Sequence, residues 1–457
     1  MGEYKSMVEA PTGWLGSIPE HWECKKIGSL FSERKTKVSD ADYPPLSVTK
    51  LGIVPQLANA AKSDSGDNRK LVCSGDFVIN SRSDRKGSCG VSELAGSVSL
   101  INIVLTPRNS WDNKYVHYLM RSQPFSEEYY HYGRGIVADL WTTRYSEMKN
   151  ILLPVPPHDE QEQIVRFLDW KVSGINKLIN IKKKEIERLC ELRNSTIDSG
   201  ILHGFHHGDM KSSGIYWLGD IPSTWEVMPI KRVAKINASV ADIVKVLNDE
   251  ELLTFLPMEN VSERGEIDGS IKRPLKEIKS GYSSFAKGDV VVAKITPCFE
   301  NGKGACLDTL DTEIGFGTTE FINLRPGDEI LSRYLYMITM TQHFRKLGER
   351  VMTGSAGQKR ISANYIKNFT LGIPAIKEQE KILKKLDSTL SKIDELIEIK
   401  KSEISGLHEL KNRLISDVVT GNIDVRDIEI PEYEFTDESA DSDLGDVDFG
   451  VDEEQED

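Results

Sequence analysis

Residues 14–22 read WLGSIPEHW, and residues 217–225 read WLGDIPSTW. Two tryptophans and a proline are rare residue types, so chance does not account for the repeat. The copies lie 203 positions apart. GEYKS (2–6) precedes the first copy and GDMKS (208–212) the second. The similarity therefore continues outward from the motif, and the chain reads as a duplication.

A second repeated block follows each motif. One copy begins EQEQIVRFLD at Glu160, the other EQEKILKKLD at Glu378. Aligned without gaps, residues 160–197 and 378–415 are identical at 20 of 38 positions. The organisation is A–B–A′–B′, with A units at about 13–153 and 215–373. The B units are closely alike. The A units share the opening motif and diverge inside.

The B units predict long helices. Leu168, Val172, Ile175, Ile179, Ile186 and Leu189 recur at alternating four- and three-residue steps, with Lys182 the polar exception. Leu386, Leu390, Ile393, Ile397, Ile404 and Leu407 repeat the pattern. Such a narrow seam is buried against another helix. Pro154, Pro156 and Pro157 precede the first helix and Pro374 the second, as proline is tolerated before a helix and not within it. Gly200, Gly204 and Gly421 mark the ends. About 38 residues make a rod of roughly 57 Å. Antiparallel pairing within the chain satisfies both seams. Pairing with another protein or another copy is the alternative.

The A units predict mixed α/β folds. GDFVIN (75–80) and GDVVVAKI (288–295) read as buried strands after a glycine turn. LINIVLTPR (100–108) and TEFINLRP (319–326) read as later strands, and YVHYLMRS (115–122) and RYLYMITM (333–340) as short helices. The expected domains are 1–153 (first α/β domain), 154–204 (first spacer helix), 205–373 (linker and second α/β domain), 374–426 (second spacer helix) and 427–457 (acidic disordered tail).

Composition is that of globular protein, at 39% hydrophobic and 28% charged residues. No apolar run reaches the roughly 18 residues of a membrane span. The polar start MGEYKSMVEAPTG lacks a signal-peptide core. A soluble, cytoplasmic chain is expected. The six cysteines form no CxxC pair, which fits free thiols. Net charge is -13, yet residues 427–457 hold fifteen carboxylates and no Lys or Arg. Without those fifteen charges, residues 1–426 carry +2, so a DNA-binding face is compatible with the body.

Catalytic signatures are missing. There is no GxxxxGK[ST] and no GxGxxG after a strand. YPPL (43–46) and PVPPHD (154–159) do not fit the Asp/Asn-Pro-Pro-aromatic loop of amino-methyltransferases. Asp268 with Glu277-Ile278-Lys279 is the one arrangement that can be forced into a metal-dependent nuclease pattern. HGFHHGD (203–209) gathers His203, His206, His207 and Asp209, and reads as a solvated linker rather than a metal site.

The loops of the A units offer DNA-reading chemistry. INSRSDRKGS (79–88) presents Arg82, Asp84, Arg85 and Lys86. KITPCFENGKG (294–304) holds the matching place in A′ with Lys294, Glu300, Asn301 and Lys303. Arg and Lys bond guanine edges, Asn the adenine edge, and Asp or Glu accept from cytosine. Lys and Arg also neutralise phosphates. LWTTRYSEMKN (140–150) matches GQKRISANYIKN (357–368), contributing Arg144, Gln358, Lys359 and Arg360. PLSVTKLGI (45–53) against FLPMENVSERGEI (255–267) is a third pair. Equivalent placement with different side chains favours recognition over plain solvated loops.

With these motifs in order, the chain resembles the specificity subunit of a type I restriction–modification system. The resemblance rests on the doubled WLGxIPxxW, the PxPPxxEQExI and IPxxxEQExI segments, the INxLIxxKKxEI helices, and GSAGQKRIS (354–362). It covers residues 1 to about 426. It implies two α/β target-recognition domains joined by two long antiparallel coiled-coil helices in a pseudo-twofold repeat. It implies a subunit without its own catalytic site or cofactor. Its partners would be double-stranded DNA, two methyltransferase (modification) subunits and restriction/translocase subunits. S-adenosylmethionine, ATP and Mg2+ would sit on those partners. Unlike readers on like frames imply an asymmetric, bipartite target. Its half-sites would lie about one to one and a half helical turns apart. The tail beyond 426 departs from the family pattern. It reads as a solvated segment, or as a competitor with DNA for the basic loops. The readings from another class are a coiled-coil scaffold without DNA specificity, and the nuclease.

Overall fold

A computed structural model describes residues 2–50, 52–57, 66–82, 85–108, 111–135, 141–205, 208–355 and 357–438. It divides into two compact units. One comprises Met1–Lys184 with Lys401–Asp457, the other Glu185–Lys400. Each unit thus contains one α/β domain and one half of each long helix.

In the first unit, β1 (Phe31–Glu33), β2 (Phe77–Asn80), β3 (Cys89–Val91) and β4 (Asn102–Pro107) form an antiparallel sheet in the order β3-β2-β4-β1. All four residues of β2 are buried, which explains its unbroken apolar run. Gly75 precedes it at φ +87°, the left-handed turn that glycine adopts without steric cost. Helix α1 (Asn113–Arg121) starts where Asp112 accepts from the Lys114 and Tyr115 N–H groups, and it buries Tyr115, Val116, Leu119 and Met120. The long helix α2 spans His158–His203.

The second unit repeats this layout. Strands β5 (Ala234–Ile236), β6 (Val290–Ala293), β7 (Gly304–Cys306) and β8 (Phe321–Pro326) lie in the order β7-β6-β8-β5, all antiparallel. Helix α3 (Ser332–Met340) corresponds to α1, and the long helix α4 spans Ile376–Val419. The second sheets differ. The first unit has three short strands (Lys37–Val38, Arg69–Val72, Gly96–Val98), whereas the second has four, including the parallel pair Leu252–Leu256 and Ile314–Gly317.

One buried acid holds each main sheet. Asp76 accepts from Arg34 Nε (2.8 Å) and Nη2 (3.0 Å), from Thr106 Oγ1 (2.8 Å) and from the Cys73 N–H (2.8 Å). Asp289 accepts from Arg325 Nε (2.8 Å) and Nη2 (2.9 Å) and from the Ala286 N–H (2.8 Å). Each carboxylate is 1% exposed, so the guanidinium fork is what makes its burial tolerable.

The opening motif closes each unit. Ser17–Pro19 pairs with Met7–Glu9, and Asp220–Pro222 with Met210–Ser212. The next strands, Glu23–Lys26 and Glu226–Pro229, pair with the last strands of their α/β domains, Leu152–Val155 and Thr370–Ile373. The chain therefore leaves each domain beside the point where it entered, directly before a long helix. Trp22 packs against Gly421 at the end of α4, and Trp225 against Gly204 at the end of α2. A Cβ on Gly204 would lie 2.8 Å from the Trp225 ring, and one on Gly421 3.1 Å from the Trp22 ring. Both glycines are also in the left-handed conformation, at φ +67° and +80°.

The repeated glutamine of the EQE segments clamps domain to helix. Gln161 donates to the Pro156 carbonyl (2.9 Å) and accepts from the Asp112 N–H (3.2 Å). Gln379 donates to the Pro374 and Glu329 carbonyls (both 2.9 Å) and accepts from the Leu331 N–H (2.9 Å). The buried amide gives the repeated EQE segment its structural role.

The two long helices pack together antiparallel. In the first unit Lys182 meets Glu403 (2.9 Å) and Asn176 meets Lys411 (3.2 Å). In the second, Glu185 meets Lys400 (3.1 Å), Arg193 meets Asp394 (3.0 Å), and Gly200 faces Leu386. Residue numbers rise on one helix as they fall on the other. Within the seam Leu168, Ile175, Ile179, Leu386, Leu390, Ile393 and Ile397 are buried, and Val172, Ile186, Leu189, Ile404 and Leu407 half-buried. At 46 and 44 residues the helices exceed the 38 aligned positions, because the proline-preceded N-terminal turn and the turns before Gly204 and Gly421 are helical too.

The acidic tail needs a correction. Residues 427–438 do not hang free. They run as an extended segment against both helices in the first unit. Gln163 donates to the carbonyls of Val425 (3.0 Å) and Ile428 (2.9 Å), and Ser173 donates to that of Glu434 (3.1 Å). Composition predicts disorder from charge alone and cannot register side chains that satisfy the segment's backbone. Residues 439–457 lie outside the described residues.

Candidate nucleic-acid interface

In each unit two loops meet at the end of a buried strand. The first loop continues from β2 or β6. The second is the turn that follows the short helices after α1 or α3. Short backbone ladders join them, and the two ladders correspond position by position.

In the first unit, Arg82 bridges to Thr142, and Thr142 bridges to Arg134. The Thr143 N–H donates to the Ser81 carbonyl (2.9 Å). Asn80 Oδ1 accepts from the Arg82 N–H (3.0 Å), and Tyr130 Oη donates to the Arg82 carbonyl (3.3 Å). Lys86 Nζ sits 5.7 Å from the Tyr130 ring centre. Arg82, Arg85, Lys86, Arg134 and Arg144 are all exposed. Asp84 lies outside the described residues.

In the second unit, Ile295 bridges to Arg360, and Arg360 to Thr353. The Ile361 N–H donates to the Lys294 carbonyl (2.8 Å), matching Thr143 to Ser81. The Thr296 N–H donates to the Lys359 carbonyl (3.0 Å), and Thr296 Oγ1 accepts from the Lys359 N–H (3.1 Å). The loop closes on itself through Asn301 N–H to Pro297 carbonyl (3.0 Å) and Lys303 N–H to Cys298 carbonyl (2.8 Å). Phe299 anchors it beneath, 1% exposed and 5.9 Å from Phe344. Asn301, Gln358 and Lys359 are exposed, and Lys294, Glu300 and Lys303 half-buried.

Within each unit the structure thus brings together two of the segments that the sequence singles out, 79–88 with 140–150 and 294–304 with 357–368. Sequence reasoning missed Arg134, Thr353 and Glu320. Arg134 stands in GRG (133–135) and Thr353 in TGS (353–355), but nothing short of the ladder shows that Arg134 pairs with Thr142. Glu320 changes the reading of Arg360. Arg360 Nε and Nη2 donate to Glu320 at 2.9–3.2 Å, and Nη1 donates to the Gln358 carbonyl (3.3 Å). The neighbouring guanidinium, and Lys294 beside it, hold the Glu320 carboxyl below its ordinary range. Arg360 thus braces the loop that presents Gln358 and Lys359.

The nuclease arrangement does not assemble. Glu277 lies on a one-turn helix, Leu275–Ile278, rather than at a strand end. Lys279 is paired with Asp249 (2.9 Å), and Asp268 accepts from the Ser270 N–H (2.9 Å) within its own turn. His206 and His207 lie outside the described residues. His203 Nδ1 lies 3.1 Å from the Asp220 carbonyl. Among the described residues no group of three or more His, Cys, Asp or Glu is placed to hold a metal ion, and no helix is long and apolar enough to cross a membrane.

Residues 222–406 match a family described as Type I restriction modification DNA specificity domain. The match runs from the opening motif of the second half into α4. Sequence relatives cover up to 90% of the chain. The chain is similar to type I restriction specificity subunits. It is 39% identical over 180 residues to the Type I restriction enzyme EcoAI specificity subunit of Escherichia coli, covering 39% of this chain and 30% of that one. It is 33% identical over 201 residues to the EcoEI specificity subunit, covering 43% and 33%. The matched stretch is thus about a third of the length of those two relatives. The Type I restriction enzyme MjaVIII specificity subunit of Methanocaldococcus jannaschii is 24% identical over 443 residues, covering 90% of this chain and 95% of that one. A solved chain from "Structural basis underlying complex assembly and conformational transition of the type I R-M system" superposes with a TM-score of 0.57 at 14% identity, covering 89% of this chain and 99% of that one, and so shares the fold.

Proposed function

We propose that the chain is the DNA-recognition subunit of a type I restriction–modification complex. Each unit reads one half of a bipartite, asymmetric target. The observation that carries this reading is the doubled junction. The ladders at 82–142–134 and 295–360–353 are equivalent, yet they present different side chains. A frame held constant while its exposed donors change is what two readers of different sequences require. Arg82, Arg85, Lys86, Arg134 and Arg144 suit phosphates and guanine edges. Asn301, Gln358 and Lys359, with Lys294, Glu300 and Lys303 beside them, offer a more mixed set of donors and acceptors.

In this reading the chain is non-catalytic and cytoplasmic. It directs two methyltransferase subunits and the restriction/translocase subunits, which carry S-adenosylmethionine, ATP and Mg2+. The repeated helical frame supports docking of two like partners, because a doubled surface offers one binding mode twice. A scaffold without DNA specificity has no use for unlike loops on equivalent ladders.

Methylation mapping tests the proposal. The chain is co-expressed with its neighbouring methyltransferase and the host DNA is read for modified bases. A split asymmetric motif with a fixed spacer, absent without this chain, is the expected result. A continuous short motif, or modification independent of the chain, overturns it.

A further inference from the structure

One cross-helix pair differs in charge between the two units, although the Lys182–Glu403 and Lys400–Glu185 pairs are equivalent. In the second unit Arg193 finds its carboxylate inside the frame, on Asp394 (3.0 Å). The corresponding pair in the first unit is Lys411 with Asn176. The neutral amide supplies an oxygen at 3.2 Å and no charge. The carboxylate comes instead from Glu438, 2.6 Å from Lys411 Nζ, 3.3 Å from His408 Nε2 and 3.5 Å from Lys183 Nζ.

The rest of the segment is held by its backbone. Ser173 Oγ donates to the Glu434 carbonyl (3.1 Å) and accepts from the Thr436 N–H (2.8 Å). Asn176 Nδ2 donates to the Thr436 carbonyl (3.2 Å), and Asn180 Nδ2 to that of Asp437 (3.0 Å). These three side chains recur at three- and four-residue steps, one stripe along α2. The aromatic residues between them add little burial: Tyr433 is 40% exposed and Phe435 53%. Phe435 lies 5.8 Å from Lys114 Nζ at the helix edge. Ile428 and Ile430 pack half-buried against the first unit's core at the segment's start. Beyond them, main-chain hydrogen bonds and one carboxylate make a hold that solvent and salt can compete with.

We propose that this stripe of α2 and α4 is a carboxylate-anchored peptide-docking surface, and that the chain's own residues 428–438 are its reversible occupant. In the second unit Asp394 already supplies the carboxylate to Arg193 from within the helices. Release of the segment uncovers the helices and frees its carboxylates Glu429, Glu432, Glu434, Asp437 and Glu438 together. The inference is independent of what the loops recognise.

The test uses the chain ending at residue 427 and a labelled peptide of residues 428–438, IEIPEYEFTDE. Saturable one-to-one binding is expected, weakening at least tenfold between 50 and 500 mM NaCl. Glu438→Gln in the peptide weakens binding about tenfold. Asn176→Asp in the chain, which restores the internal carboxylate of the other unit, does the same, and the two changes combined add little. Failure of the peptide to bind a shortened chain with native circular dichroism overturns the proposal, as does indifference to both substitutions. If the shortened chain does not fold, hydrogen exchange on the full chain decides. Residues 428–438 lose protection in 500 mM NaCl while α2 and α4 keep theirs, and Asn176→Asp lowers the salt needed. Loss of protection only together with the helices shows a permanent part of the fold and overturns the proposal.

Discussion

The two units are built on one frame, and they differ where the frame's equivalent positions were given different chemistry. At the junction of α1 and the sheet, His117 of the first unit corresponds to Tyr336 of the second, each two residues after a buried tyrosine, Tyr115 or Tyr334. His117 is packed beside Arg121 and accepts from the Val91 N–H (3.3 Å). Burial first, then the Arg121 and Lys114 charges, push it down to about 3. Burial pushes Tyr336 up to about 12. One position is poised to respond to acid and its counterpart is silent below alkaline pH. A shared fold thus fixes where side chains meet without fixing how the two halves respond to solvent.

The largest expected effect tests the part of the frame that is alike. Asp76→Ala and Asp289→Ala each strand a guanidinium among buried groups. Each is expected to cost about 3–4 kcal/mol in chemical denaturation, with equal losses in the two units. A markedly smaller loss at Asp289 would show that the extra partner of Asp76, Thr106, carries the difference.

The glutamine clamps come next. Gln379→Ala leaves three backbone groups without their partner and Gln161→Ala two, all in buried or half-buried places. Expected losses are about 3 and about 2 kcal/mol. Protection of the Leu331 and Asp112 amides, followed by hydrogen exchange, separates the two clamps. Equal losses would mean that the third bond, to the Glu329 carbonyl, is replaced by water.

The histidine contrast predicts a pH effect in one unit. A base whose folded pKa is depressed binds its proton more readily when unfolded, so stability falls as pH drops below about 6.5 toward 3. Between pH 6.5 and 5 the first unit should lose about 1–2 kcal/mol through His117. His117→Tyr should remove that slope. A slope that survives the substitution assigns the acid sensitivity elsewhere.

The smallest effects concern the loops. Arg82→Ala and Lys359→Ala should each weaken DNA binding by about 1 kcal/mol and lower the salt slope by about one. Arg360→Ala should act differently, because its guanidinium is held by Glu320. Its loss is expected to loosen the Gln358–Lys359 turn, and Glu320→Gln should reproduce it. If Arg360→Ala lowers the salt slope while Glu320→Gln leaves binding unchanged, Arg360 contacts phosphate directly.

Much of this architecture was legible in the order of residues. The duplicated WLGxIPxxW motif, the heptad seams and the glycine-turn strands are local patterns, and local patterns report periodicity, turns and buried faces because each depends on near neighbours. They were enough to place two like α/β domains, two paired helices and the loops that extend from β2 and β6. What the tertiary structure alone decided were pairings across long separations. Arg360 is taken by Glu320, forty residues away, and Arg134 pairs with Thr142 with no local signature of that pairing. Glu438 reaches Lys183 across most of the chain and turns a stretch that composition marks as disordered into a bound strap. Such contacts depend on which surfaces the folded frame brings within hydrogen-bonding distance, and a sequence pattern carries the chemistry of each partner but not the distance between them.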